Sequence, residues 1–173
     1  MKKIILFVIL TIILSSTAAF AQQEKGDTEI QIAGTYFTTV GSEFTFSSGF
    51  IQAKLGKYIT DNLELGIAPN ISITTVDLGF GESDTNVTFG GGAFFVYSFL
   101  AGDAKTVPYF GGQYYKSDFS NEDDNGSVGV TGGAKFFVTE KAAFDFSGNY
   151  LFDLNEDTEG GLLLFAAGIS FLF

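Results

Sequence analysis

The last nine residues, Phe165-Ala-Ala-Gly-Ile-Ser-Phe-Leu-Phe173, put Phe165, Ala167, Ile169, Phe171 and Phe173 on one side of a strand and end the chain on an aromatic. Successive side chains of a strand point to opposite faces, so this alternation makes one face apolar up to the terminus. A strand of that kind, with no polar tail, suits a sheet whose outer face meets hydrocarbon.

The opposite end of the chain sets the cellular route. Lys2 and Lys3 precede the apolar run from Ile4 to Leu14, and small residues lead to Ala19-Phe20-Ala21, the A-x-A form that a signal peptidase needs. That run is too short for a bilayer-spanning helix. The reading is a Sec signal peptide over 1–21, a short periplasmic segment over 22–28 and a β-barrel domain over 29–173.

Beyond the leader no stretch approaches the roughly 18 apolar residues of a transmembrane helix. The chain carries 21 Phe and 22 Gly against 2 Pro, and it has no Trp, His or Cys. Such a composition with strand-length alternation fits a closed sheet. Closure pairs every backbone edge, so no disulfide is needed.

Eight alternating segments recur between turn-like stretches, which makes the fold an all-β, eight-stranded antiparallel transmembrane barrel of up-and-down topology. The first, about 29–39, sets Ile30, Ile32 and Tyr36 opposite Gln31, Ala33 and Thr35. In the second, about 48–58, Ile51, Ala53 and Leu55 oppose Gln52, Lys54 and Gly56. After a tight turn at Ile59-Thr60-Asp61-Asn62, Leu63, Leu65 and Ile67 oppose Glu64, Gly66 and Ala68, and the strand continues past Pro69 through Ile71 and Ile73.

The fourth segment (Val87, Phe89, Ala93, Phe95, Tyr97) and the sixth (Val128, Val130, Ala134, Phe136, Val138) match at an offset of 41 residues, as repeating hairpins would. The fifth, 107–115, leaves two phases open: either Val107, Tyr109 and Tyr115 face out, or Pro108, Phe110 and Tyr114 do. In the seventh, Phe144, Phe146 and Tyr150 oppose Ala143, Asp145, Ser147 and Asn149. The eighth runs over about 160–173.

Short connections near 59–62, 98–106 and 139–141 alternate with longer acidic ones at 74–86, 116–127 and 151–159. Barrels of this kind keep short turns periplasmic and long loops outside, which places both termini in the periplasm. Tyr58, Tyr97, Phe136 and Phe173 near one end, and Tyr36, Tyr115 and Tyr150 near the other, suit two interfacial girdles.

With Leu and Ile facing lipid, Lys54, Glu64, Lys135 and Asp145 face the lumen at similar depth near the short turns. Two cations and two anions there can pair. An eight-stranded barrel is about wide enough for side chains to fill, so the expected lumen is narrow or plugged.

Acidic residues number 20 against 9 lysines, with no Arg, and loss of Lys2 and Lys3 takes the net charge from −11 to −13. A nucleic-acid partner is excluded by that balance, since phosphates must be neutralised by many basic groups. The long loops concentrate the acids: Asp77, Glu82 and Asp84; Asp118, Glu122, Asp123 and Asp124; Asp153, Glu156, Asp157 and Glu159. The spacing Asp153, Asn155, Asp157 is like the start of a calcium loop, but Thr158 stands where the sharp-turn Gly is required, so no metal site is assigned.

The stretches Ala53-Lys-Leu-Gly-Lys-Tyr-Ile-Thr-Asp-Asn-Leu-Glu-Leu-Gly66, Val107-Pro-Tyr-Phe-Gly-Gly112 and Gly168-Ile-Ser-Phe-Leu-Phe173 resemble the bacterial outer membrane β-barrel domain family, the porin-family or OmpA/OmpX-like small barrels. The resemblance covers essentially the whole mature chain. It implies an outer membrane address, outer membrane lipid as surroundings, and periplasmic chaperones with the barrel-assembly machinery as biogenesis partners. Ile169, Phe171 and Phe173 are the implied contacts of the C-terminal assembly signal. A monomer is expected, and the chain departs from the two-domain members of that family in stopping at its last strand with no peptidoglycan-binding domain, so tethering of the cell wall is not expected.

Outer-membrane hydrolases and acyltransferases that resemble this barrel class generally use a His as general base. With neither His nor Cys, Ser-His and Cys-His chemistry is excluded, and no cofactor is expected. Gly90-Gly91-Gly92 lies inside a strand with no following helix, so it makes no phosphate loop. The leading reading is a structural or surface-interacting outer membrane barrel. The alternatives are a narrow, cation-favouring pore and, third, a secreted lipid-binding barrel.

Overall fold

A computed structural model describes residues 23–39, 45–77, 83–99, 105–122, 124–154 and 161–173. The signal segment 1–21 lies outside the described residues, as do Glu82, Asp123, Asn155, Glu156, Asp157 and Glu159.

Nine strands form one sheet among the described residues: β1 (Thr28–Thr38), β2 (Thr45–Tyr58), β3 (Leu63–Ile67), β4 (Asn70–Asp77), β5 (Ser83–Ser98), β6 (Thr106–Lys116), β7 (Ser127–Thr139), β8 (Ala142–Asp153) and β9 (Gly161–Leu172). β3 and β4 both pair with β2 on one side and β5 on the other, so they form a single stave interrupted at Ala68-Pro69. Proline has no N–H to give the ladder. Its neighbours keep the stave joined: Ala53 N–H donates to the Pro69 carbonyl at 3.0 Å, and Ala68 and Gly92 exchange backbone bonds of 2.8 and 3.2 Å. The barrel therefore has eight staves.

Closure comes from the two ends of the chain. β1 pairs antiparallel with β2 and also with β9, from Glu29 opposite Leu172 to Gly34 opposite Ala167. Every stave has two neighbours, and no edge is left open.

The faces follow the period-two pattern. Ile32, Ile51, Leu55, Leu65, Phe95, Phe146 and Phe165 are exposed on the outer wall, while Gln31, Gln52, Lys54, Glu64, Thr131, Lys135, Asp145 and Asn149 are buried inside. This inverts a soluble sheet, in which the apolar face is the buried one. The open phase of the fifth segment resolves: Val107 and Tyr109 point in, and Phe110 and Tyr114 point out.

Two aromatics depart from the girdles. Tyr58 is 1% exposed and points into the lumen, because it shares the phase of Gln52 and Lys54 on β2. Tyr115, in phase with Val107 and Tyr109, turns in to bond Asn70 Oδ1 at 3.0 Å. Tyr36, Tyr97, Tyr150 and Phe173 remain on the outer surface.

Turn chemistry is local. Thr60 Oγ1 accepts from the Asn62 and Leu63 amides at 3.3 and 3.0 Å, which closes the 59–62 turn. At Gly92 an added Cβ would strike the Tyr114 carbonyl oxygen, so glycine permits the close approach of β6 to β5.

Candidate functional site

The lower lumen, at the short-turn end, gathers the buried charges. Each arrives by strand phase: Glu29 from β1, Lys54 and Tyr58 from β2, Glu64 from β3, Tyr109 from β6, Lys135 from β7 and Asp145 from β8. At the end of the barrel, Tyr58, Val107, Phe137, Ala143 and Leu172 pack into an apolar cluster. A second cluster of Ala68, Phe94, Val96 and Tyr109 fills a neighbouring part of the interior.

Lys135 is the hub. Its Nζ lies 2.5 Å from Glu29 Oε2 and 3.4 Å from Glu64 Oε2, and it donates to Tyr58 Oη at 3.0 Å. Tyr58 Oη in turn donates to Glu29 Oε2 at 2.9 Å. In the cyclic stave order β1, β9, β8, β7, β6, β5, β3/β4, β2, the stave of Lys135 is diametrically opposite that of Tyr58. The two side chains thus meet across the interior. The same ammonium lies 5.6 Å from the Tyr58 and Tyr109 ring centroids, within cation–π range.

Of the four charges expected in the lumen, all are buried, and one pair is joined, Lys135 with Glu64. Lys135 and Asp145 are directly opposite in the β7–β8 register, yet the ammonium turns toward Glu29 and Glu64. Asp145 instead accepts from Tyr109 Oη at 2.8 Å. Lys54 makes no ion pair among the described residues, and its Nζ sits 5.5 Å over the Phe94 ring. Glu29 is the member missed from the sequence, although its signal was present: Ile30 and Ile32 face out, which forces Glu29 in.

Above this layer a cavity of about 30 Å³ lies beside Thr35, Gln52, Gln113, Tyr115 and Asn149, room for about two waters. Gln113 Nε2 donates to Asn149 Oδ1 across part of it at 3.4 Å.

Outside the barrel, the described loop acids are Asp77, Asp84, Asp118, Glu122, Asp124 and Asp153. Asp77 and Asp84 lie on the β4–β5 hairpin, and Asp153 ends β8. Asp124 organises the 117–126 loop, accepting from the Ser117 amide at 3.1 Å, the Ser117 hydroxyl at 2.8 Å, the Asp118 amide at 3.2 Å and the Gly126 amide at 2.7 Å. Partial burial would raise its carboxyl, but these donors hold it below the ordinary value. Asp118 is held low by the Ser120 hydroxyl and amide. Among the described residues no group of three or more His, Cys, Asp or Glu could hold a metal ion. Ile169, Phe171 and Phe173 of the C-terminal signal all face outward.

A closed eight-stave barrel with an apolar exterior and a charged interior has the fold of the small transmembrane β-barrels. The N-terminal β-barrel domain of Pseudomonas aeruginosa OprF matches over 87% of this chain and 100% of its own, with 19% identity and a TM-score of 0.54. The outer membrane protein OprG from Pseudomonas aeruginosa matches over 89% and 99%, with 13% identity and a TM-score of 0.52. A de novo designed transmembrane β-barrel matches over 88% and 99%, with 15% identity and a TM-score of 0.50. No family model and no curated protein sequence matches the chain.

Proposed function

We propose that this chain is an integral outer membrane barrel with a structural or surface-interacting role, that its lumen is closed to diffusion, and that it presents acidic loops outside the cell. The observation that carries the reading is Lys135, whose ammonium meets Glu29, Tyr58 and Glu64 from the far side of the interior. A buried charge held by several partners is costly to displace, so it braces opposite walls and obstructs the path between them. The outer wall supports the membrane assignment, since soluble monomers rarely expose so continuous an apolar surface.

Both termini would then lie in the periplasm, with Asp77, Asp118, Glu122 and Asp124 on the external side. Phe173, Phe171 and Ile169 would serve as the address read by the assembly machinery.

Single-channel recording on refolded protein in planar bilayers tests the closed lumen. Absence of discrete steps above leak supports it. Reproducible cation-biased steps would replace it with the narrow-pore reading.

A further inference from the structure

The lower lumen buries three carboxylates, Glu29, Glu64 and Asp145, against two ammonium groups, Lys54 and Lys135. With all five ionised, one negative charge is unmatched, and an unmatched charge in a low-dielectric interior is strongly unfavourable. The surplus belongs to the layer as a whole, since Lys54 and Asp145 are both without an ion-pair partner among the described residues, and the hydrogen bonds show which carboxylate is left least satisfied. Lys135 serves Glu29 and Glu64, whereas Asp145 has only the neutral Tyr109 hydroxyl on Oδ1. Its Oδ2 is buried with no hydrogen-bond partner among the described residues.

Two further unpartnered polar atoms stand on the same wall, Ser170 Oγ on β9 and Gln31 Nε2 on β1. Gln31 is directly opposite Ser170 in the β1–β9 register. Ser170 is opposite Ala143, one inward position from Asp145 on β8. Ser170 is thus an inward neighbour of each of the other two, with Cβ atoms within about 8 Å on either side, and it stands between Asp145 and Gln31, which are two staves apart. Asp145, Ser170 and Gln31 are 1%, 2% and 4% exposed, so bulk water does not satisfy them.

We propose that this wall binds one small monovalent cation, sodium or potassium, held by Asp145 Oδ2 and Ser170 Oγ. The Gln31 amide completes the set, presenting its oxygen after a half-turn about its last bond. One carboxylate with neutral oxygens suits a single positive charge and makes the interior neutral. A divalent ion would need more carboxylates than this wall offers.

The test is the unfolding of the refolded mature chain in detergent, in sodium, potassium and N-methylglucamine chlorides at equal ionic strength. Sodium or potassium at ten times its dissociation constant lowers the unfolding equilibrium constant roughly tenfold relative to the bulky organic cation. Asp145→Asn abolishes that difference. Ser170→Ala, which deletes only a hydroxyl, shrinks it, so the proposal remains testable if the first variant does not fold. Identical curves in the three salts overturn the site, as does a salt effect that Ser170→Ala and Asp145→Asn both leave unchanged. The readout is stability, so a conducting lumen would not disturb the result.

Discussion

Replacing Lys135 with Met removes the cation between Glu29 and Glu64 while keeping most of the side-chain volume. Lost with it are a charge-assisted contact to Glu29 at 2.5 Å, a longer one to Glu64 at 3.4 Å and a bond to Tyr58 at 3.0 Å. Charge-assisted bonds contribute about 1.5–3 kcal/mol each, and stripping one partner from a buried ion pair costs about 3–5 kcal/mol because the other charge is left uncompensated. These figures overlap in what they count, so the expected loss is about 4 kcal/mol and not their sum. At 1.4 kcal/mol per decade that is roughly a thousandfold in the unfolding equilibrium. Urea unfolding in lipid vesicles, read by tyrosine fluorescence or by gel mobility of the unheated protein, measures it. Adding Glu29→Gln to Lys135→Met should recover part of the loss, since the uncompensated carboxylate is then gone. A Lys135→Met barrel within about 1 kcal/mol of the parent would refute the reasoning, because a pair that weak belongs to solvated surface groups.

Other expectations concern the wall, the loop and the terminus. Gly56→Ala puts a methyl into the Glu64 carboxylate; it should fold but lose the Glu64 contact to Lys135, costing about 1–2 kcal/mol by the same unfolding assay. An arginine in place of Phe146, exposed on the outer wall, should cost about 2–4 kcal/mol if that position lies at mid-bilayer. The Asp124 carboxyl is held below its ordinary value of 3.8, so its support of the 117–126 loop is present above that value and fades as the pH falls through the lower folded one. Hydrogen exchange of the Asp118 and Gly126 amides should show protection at neutral pH that declines in acid, and Asp124→Ala should lack it throughout. Phe173→Ala should reduce the assembled fraction in cells severalfold while changing refolded stability little, since the Phe173 side chain faces outward.

Side-chain facing was legible wherever one face was uniformly apolar. On β8, Phe144, Phe146 and Tyr150 could not share a side with Asp145 and Asn149, and the structure places them accordingly. β6 was ambiguous because both of its faces carry aromatics. There the choice rests on packing: Val107 and Tyr109 fit the two interior clusters. Tyr58 was misplaced by weighing its distance from the turn above its phase with Lys54. The membership of Glu29 was readable from phase, but the preference of Lys135 for Glu29 and Glu64 over the directly opposite Asp145 was not, because it depends on groups converging from non-adjacent staves.

With no native Cys in the chain, single cysteines can be introduced at Leu65, Phe110 and Phe146 and, as inward controls, at Gln52, Thr131 and Asn149, then spin-labelled in bilayers. Labels at the first three should collide readily with oxygen, which partitions into hydrocarbon, and be shielded from a water-soluble nickel complex; labels at the controls should be shielded from oxygen. Equal oxygen protection of both sets would mean that the apolar face packs against protein, and the membrane barrel with its braced interior would be wrong.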